Sequence, residues 1–186
     1  MPVFFSEAEY RVLQAVCARL IPTEQAPGAA EAGAADYIDN LLGAFSFDPP
    51  RIWAAGPFSG RFGGDAGFEQ FVPLSPLEEL AWRIRIEGTG DRPERQFAGP
   101  VVGYQERYRR GLSGMGADFA TLDEAEQDKR LRADDDFATF VYEHCCEAMY
   151  GAPEYGGNRD LAGWTLIGFA GDVQPRGYTD EEVAEP

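Results

Sequence analysis

Residues 150–172 read YGAPEYGGNRDLAGWTLIGFAGD, and this stretch determines how the rest of the chain is interpreted. It contains six glycines, two of them adjacent at Gly156 and Gly157, and then an apolar segment at 161–169. A glycine in a helix interior costs about 1 kcal/mol relative to alanine, so these glycines indicate positive φ angles or close backbone approaches. We predict a tight turn at Gly156-Gly157, an N-cap at Asn158 and a short helix whose glycine face packs against a large surface.

Three stretches upstream carry the signature of a helix start. Ser-x-x-Glu occurs at 6–9 and 75–78, and Thr-x-x-Glu occurs at 121–124, each before residues with helical apolar spacing. The predicted helices cover residues 6–20, 34–44, 75–88, 95–112 (or from about 100), 121–132 and 135–150, before the short C-terminal helix. Since no alternating strand pattern of useful length is present, we predict an all-α fold, an irregular helical domain of six to seven helices.

Residues 46–74 follow neither a helix nor a strand pattern, and they predict a long Phe/Gly/Pro-rich loop. The aromatic content argues against disorder, and two interpretations remain open. The phenylalanines pin the loop to the core of this chain, or some of them face a partner, because rigid aromatic side chains concentrate at interface centres. The segment GPFSGRF at 56–62 is the first expected contact, through Phe58, Arg61 and Phe62.

The composition indicates one domain with a substantial core. Of the 186 residues, 44% are hydrophobic, and we predict a single helical domain at 1–173 with an acidic C-terminal tail at 174–186. The formal net charge is −16, which disfavours a nucleic-acid partner and an anionic membrane surface. Such a charge suits a basic protein partner, although most acidic surfaces serve only solubility.

The sequence also carries few signals for location. No apolar run approaches the roughly 18 residues of a membrane-spanning helix, so we expect no direct membrane insertion. No basic region followed by an apolar one precedes the first predicted helix, which favours a cytoplasmic location as the sequence stands. A periplasmic location follows if an export signal has been trimmed. The odd number of cysteines, at Cys17, Cys145 and Cys146, mildly favours a reducing compartment.

The sequence contains few residues in arrangements that are typical of catalytic sites. His144 is the single histidine and stands beside Cys145 and Cys146, but consecutive helical residues point about 100° apart and cannot converge on one metal ion. Core packing is therefore the expected role of this trio, and no metal site or catalytic residue is predicted. Neither glycine-rich stretch contains a phosphate-binding pattern after a strand, so we expect no cofactor to be bound by this chain.

The run PEYGGNRDLAGWTLIGFAG at 153–171 resembles the C-terminal signature of the gluconate 2-dehydrogenase subunit 3 family. A looser resemblance extends upstream through Phe4-Phe5-Ser6 and Asp118-Phe119 and covers most of the chain. This family comprises the small subunits of bacterial FAD-dependent sugar and polyol dehydrogenases. Its members often carry a twin-arginine export signal, and the sequence departs from the family in showing none.

The resemblance implies a non-catalytic accessory subunit that stabilises a large flavoprotein of the glucose-methanol-choline type. That partner would hold the FAD and oxidise a sugar, glycoside or polyol, with a cytochrome subunit as an optional further member. The expected partner-interface residues are Phe58, Arg61, Phe62, Tyr155, Asn158, Arg159 and Trp164. Trp164 has a local alternative, which is to fill the core of this chain. The alternative function is a free-standing helical protein with a ligand pocket or activity around His144.

Overall fold

The computed structural model describes residues 1–56 and 71–169, and within these ranges the chain is predominantly helical, as predicted. The helices are α1 (Glu7–Leu20), α2 (Ala34–Leu42), α3 (Pro76–Glu87), α4 (Tyr104–Met115), α5 (Glu124–Ala133), α6 (Asp135–Tyr150) and α7 (Ala162–Ile167). Short 3-10 turns connect several of them. None of these helices is both long enough and apolar enough to cross a membrane.

One small antiparallel sheet was not predicted. It pairs β1 (Trp53–Ala55) with β2 (Val72–Pro73), with an irregular register between them. Strands of three and two residues are too short to produce a readable alternation of apolar and polar side chains. Both strands belong to the predicted loop at 46–74. Residues 57–70, with the predicted contacts Phe58, Arg61 and Phe62, lie outside the described part of the chain, as does the tail at 174–186.

Two of the three predicted capping boxes are confirmed. Ser6 accepts a hydrogen bond from the Glu9 amide at 3.3 Å, and the Ser6 amide donates to the Glu9 carboxylate at 2.9 Å. The same reciprocal pair occurs between Ser75 and Glu78 at the start of α3. At residues 121–124 the start of the helix differs from the predicted one.

The predicted capping box at Thr121 is wrong, because the helix begins later. Asp123 caps α5 by accepting from the Glu126 amide at 2.9 Å. The Thr121 hydroxyl instead donates to the Asp118 carbonyl at 2.8 Å within a 3-10 turn. Both Thr121 and Asp123 have side chains that can cap a helix, and only the backbone path decides which one reaches an amide in the first turn.

The predicted start of the next helix near 95–100 is also wrong, since α4 begins at Tyr104. The preceding residues form a 3-10 turn and an irregular stretch, which three hydrogen bonds between Thr89 and Val101 hold against the end of α3. A side chain at Gly103 would overlap the backbone at Gly88, so the chain crosses closely here before α4 starts. Phe97, within the predicted helix range, is consequently 75% exposed and lies outside the core.

The main core lies between α1, α2, α4 and α6. Its fully buried members include one from each helix: Leu13, Ile38, Tyr108 and Val141. The N-terminal residues are fixed to this core by a buried carboxylate on α2. Asp39 is 3% exposed and accepts hydrogen bonds from the backbone amides at positions 3–5. Three donors compensate the cost of burying its charge and order the chain before α1.

Candidate partner-binding site

Asn158 organises the C-terminal segment from a fully buried position. Its side-chain amide donates to the Gly151 carbonyl at 3.1 Å, and its side-chain oxygen accepts from the Gly163 amide at 3.0 Å and the Trp164 amide at 3.4 Å. The predicted N-cap position is wrong, because α7 begins at Ala162 and Leu161 precedes it, but the Asn158 side chain still accepts from two amides in the first turn of α7. Asn158 has a φ of 45°, a left-handed conformation that asparagine tolerates better than most residues.

The glycines of this segment allow two backbones to pack in contact. A side-chain carbon at Gly163 would overlap the Met149 carbonyl, and one at Gly157 would overlap the Ala148 carbonyl. The Ala148 carbonyl also accepts a hydrogen bond from the Asn158 amide at 2.7 Å. The prediction that the glycine face packs against a large surface is confirmed, and that surface is the C-terminal end of α6.

Trp164 lies inside this chain rather than on its surface. It is 5% exposed, and its indole nitrogen donates to the Tyr150 carbonyl at 2.8 Å. A buried tryptophan usually finds such a partner for its N–H group. The structure thus corrects the expected placement of Trp164 and Asn158. Both are buried in the isolated chain, so they would influence a partner only through the segment that they hold in position.

Three aromatic rings join the base of the long loop to the C-terminal segment. Trp53 and Phe71 stand at the two ends of the loop, with ring centroids 4.6 Å apart. Tyr155 packs edge-on against them, at 5.6 Å from the first and 5.7 Å from the second. Burial raises the pKa of the Tyr155 hydroxyl to about 12, so it stays neutral. The described residues that flank positions 57–70 therefore meet the C-terminal segment at Tyr155.

Arg159 is half exposed and is tied to the body of the chain. Its guanidinium forms an ion pair with Asp36, whose carboxylate also accepts from the Tyr10 hydroxyl. Its amide donates to the Ala32 carbonyl at 3.1 Å. Burial and the hydrogen bond to Asp36 raise the pKa of Tyr10. A partner that contacts Arg159 would therefore have to bind the guanidinium N–H groups that do not donate to Asp36.

Sequence reasoning missed the large apolar side chains that the segment does expose. Leu161, Leu166, Ile167 and Phe169 are between 41% and 58% exposed. The sequence analysis identified the apolar segment and the glycine face of its short helix, but it named none of these four side chains as a contact. The available signal was length, since a helix of six residues has room for few inward positions besides Gly163 and Trp164.

The sequence matches a known protein family over most of its length. A family model described as gluconate 2-dehydrogenase subunit 3 matches residues 7–171. The chain belongs to this family. Searches among curated proteins and among solved structures returned no match. The match begins at the first residue of α1 and extends beyond α7, so membership of the gluconate 2-dehydrogenase subunit 3 family applies to the whole described fold and to the C-terminal segment.

His144, the centre of the alternative hypothesis, is a core residue in this family member. It is 3% exposed, and its Nδ1 shares a hydrogen bond of 2.8 Å with the Tyr108 hydroxyl. Three rings enclose the imidazole: Tyr104, Tyr108 and Phe140. Burial, with smaller contributions from Arg107 and Arg85, lowers its pKa to about 4. The imidazole is thus neutral near pH 7 and is shielded from a substrate.

The three cysteines do not come together as a site in the described part of the chain. Cys17 on α1 and Cys145 on α6 are both buried, and their thiols are hydrogen-bonded to each other. That contact and burial raise the pKa of the Cys17 thiol, so it is a poor nucleophile. Across residues 1–56 and 71–169, no three side chains of His, Cys, Asp or Glu are grouped to hold a metal ion.

Proposed function

We propose that the chain is the non-catalytic small subunit of an FAD-dependent dehydrogenase of the glucose-methanol-choline type, acting on a sugar, glycoside or polyol. The observation that carries this proposal is the family match over residues 7–171. The family name denotes one subunit of a multi-subunit gluconate dehydrogenase, so a partner chain is implied. The identity of that partner, its FAD and its substrate class are part of the proposal.

The placement of the polar side chains supports a binding role. The single histidine is enclosed by aromatic rings and hydrogen-bonded to Tyr108, which leaves it badly placed to take a proton from a substrate. In the proposal, hydride transfer from the substrate carbon takes place at the FAD of the partner, and a base of the partner accepts the hydroxyl proton. The chain described here contributes by binding.

Binding alone can stabilise a flavoprotein substantially. A subunit present at 100 times its dissociation constant stabilises the folded partner by about 2.7 kcal/mol, provided that it does not bind the unfolded form. The aromatic junction at Trp53, Phe71 and Tyr155 supports a single contact region, because it brings the base of the loop to the C-terminal segment. Phe58, Arg61 and Phe62, which follow β1 in the sequence, stay predicted contacts of that region.

Co-expression tests the proposal directly. The glucose-methanol-choline-type flavoprotein of the same genome would be produced with and without this chain, and its soluble yield, flavin absorbance, melting temperature and dehydrogenase activity would be compared. We expect a co-purifying complex with higher flavin content and a higher melting temperature. A flavoprotein that is soluble, flavin-loaded and fully active alone would contradict the stabilising role. The cytochrome subunit and the cytoplasmic location stay predictions in either case.

A further inference from the structure

An exposed apolar band runs along α6 and over α7. Its members are Tyr142, Tyr150, Leu161, Leu166, Ile167 and Phe169, each between 41% and 58% exposed. Single exposed apolar residues are ordinary on protein surfaces, whereas six of them on an element pair that packs together are typical of an interaction site. We call this group the α6–α7 band.

Contacts of Trp164 connect the α6 part of the band to the α7 part. On α6, Tyr142 is hydrogen-bonded to Cys146, which lies one turn before Tyr150. The buried indole of Trp164 donates to the Tyr150 carbonyl and packs edge-on against the Phe169 ring, with centroids 4.9 Å apart. The band is therefore held by the same interactions that fix α7 to α6, so that little side-chain and backbone freedom is left to lose on binding.

The stretch of sequence that carries the α6–α7 band is mainly acidic. From residue 135 to residue 169 the sequence contains six acidic side chains and one basic side chain, Arg159. Arg159 is paired with Asp36, whereas Glu143 and Glu147 on α6 are exposed. An apolar surface with an acidic rim attracts a partner with a basic rim and repels one with an acidic rim.

This charge pattern discriminates between possible occupants. A second copy of the chain would bring the same acidic rim against its own. Residues 170–186, with five acidic side chains and one arginine, would be repelled as well. An anionic lipid surface is disfavoured for the same reason. A partner protein with Lys and Arg around an apolar patch satisfies both the apolar and the electrostatic requirement.

We propose that the α6–α7 band is the docking surface for the large flavoprotein subunit, which meets it with an apolar patch bordered by Lys and Arg. This inference rests on the proposed function and specifies its contact surface. It moves the centre of the interface from the buried Trp164 to the exposed side chains that Trp164 supports.

The test uses the full chain and the purified FAD-loaded flavoprotein, with biolayer interferometry at low and high salt as the readout. Leu166→Ser combined with Ile167→Ser should weaken binding at least about 10-fold, because these side chains would be buried at the interface centre. Leu77→Ser, on α3 and 74% exposed, is the matched control and should change the affinity less than about 2-fold. Glu143→Lys should slow association and flatten its salt dependence.

The outcomes separate this inference from the proposed function. If the wild-type chain binds the flavoprotein and the double variant binds equally well, the band is not the interface, while the subunit role stands. If the wild-type chain does not bind the flavoprotein, both fail. Sedimentation velocity and binding to anionic vesicles then show whether a second copy or a lipid surface covers the band, and either result overturns the inference. Unchanged helical circular dichroism of each variant verifies its folding.

Discussion

Replacing Asn158 with alanine should detach the C-terminal segment from α6. The substitution removes hydrogen bonds to the Gly151 carbonyl and from the Gly163 amide, at 3.1 and 3.0 Å, and a longer one from the Trp164 amide. Each buried group left without a partner costs about 1–3 kcal/mol, and two such groups dominate here. Alanine at a φ of 45° adds about 1 kcal/mol. The expected total loss in the free energy of unfolding is about 3–7 kcal/mol.

Two companion variants divide this total into its causes. Asn158→Gly removes the same hydrogen bonds but adopts a positive φ without strain, so it should cost about 1 kcal/mol less than alanine. Asn40→Ala is the matched control, because its side chain donates a single hydrogen bond to the Tyr155 carbonyl at 3.2 Å. Its loss should lower the free energy of unfolding by about 0.5–1.5 kcal/mol.

Urea unfolding followed by circular dichroism measures the global effect, and hydrogen exchange at the Gly163 and Trp164 amides measures the local one. If α7 detaches before the rest of the fold opens, exchange at these two amides accelerates more than the global stability falls. The reasoning is refuted if Asn158→Ala stays within about 1 kcal/mol of the wild type and both amides stay protected.

Elsewhere in the chain, three predictions test the packing of α4 and α6. The pKa of His144 is about 4 in the fold against 6.5 when unperturbed, so the free energy of unfolding should fall by about 3 kcal/mol as the pH drops through this interval. His144→Gln should remove this slope from urea titrations. Gly111→Ala should destabilise by about 1–3 kcal/mol because its methyl would overlap the Phe137 ring, whereas Gly114→Ala, which meets no atom within 4 Å, should stabilise by up to about 1 kcal/mol in thermal melts. Of the three thiols, only that of Cys146 is partly exposed, so an Ellman titration should label one thiol rapidly in the native protein and all three after denaturation.

Two helices that the sequence predicted correctly begin with side chains whose partners lie a few residues away. The capping boxes at Ser6 and Ser75 are such cases, since both partners belong to one turn. The structure differs from the prediction where two neighbouring side chains can each cap the same helix. Thr121 and Asp123 can each cap a helix, and the path of the chain after α4 selected the second. The helix-capping propensities of these two residues give no information about the path of the backbone.

The spacing of residues along the sequence was not enough to predict where the site residues lie in the fold. The burial of Trp164 depends on a carbonyl fourteen residues earlier, and the role of Asp39 depends on three amides more than thirty residues away. Both are tertiary contacts, so a sequence shows only that a tryptophan or an aspartate is present. The glycines were more informative, because a residue without a side chain at Gly157 or Gly163 signals a close approach whichever partner provides it.

The C-terminal segment exposes most of its large apolar side chains, and this exposure is a physical reason to expect a partner. Its inward side holds the buried ring of Trp164, and both the indole N–H of Trp164 and the side chain of Asn158 are hydrogen-bonded to backbone groups. Its outward side chains at 161, 166, 167 and 169 are apolar. In the described residues every buried side-chain polar atom has a partner, so the inner side is complete. Apolar surface left in water on the outer side costs about 25 cal/mol per Å² until something covers it. A partner that covers these side chains would recover this free energy, which supports the proposed binding role.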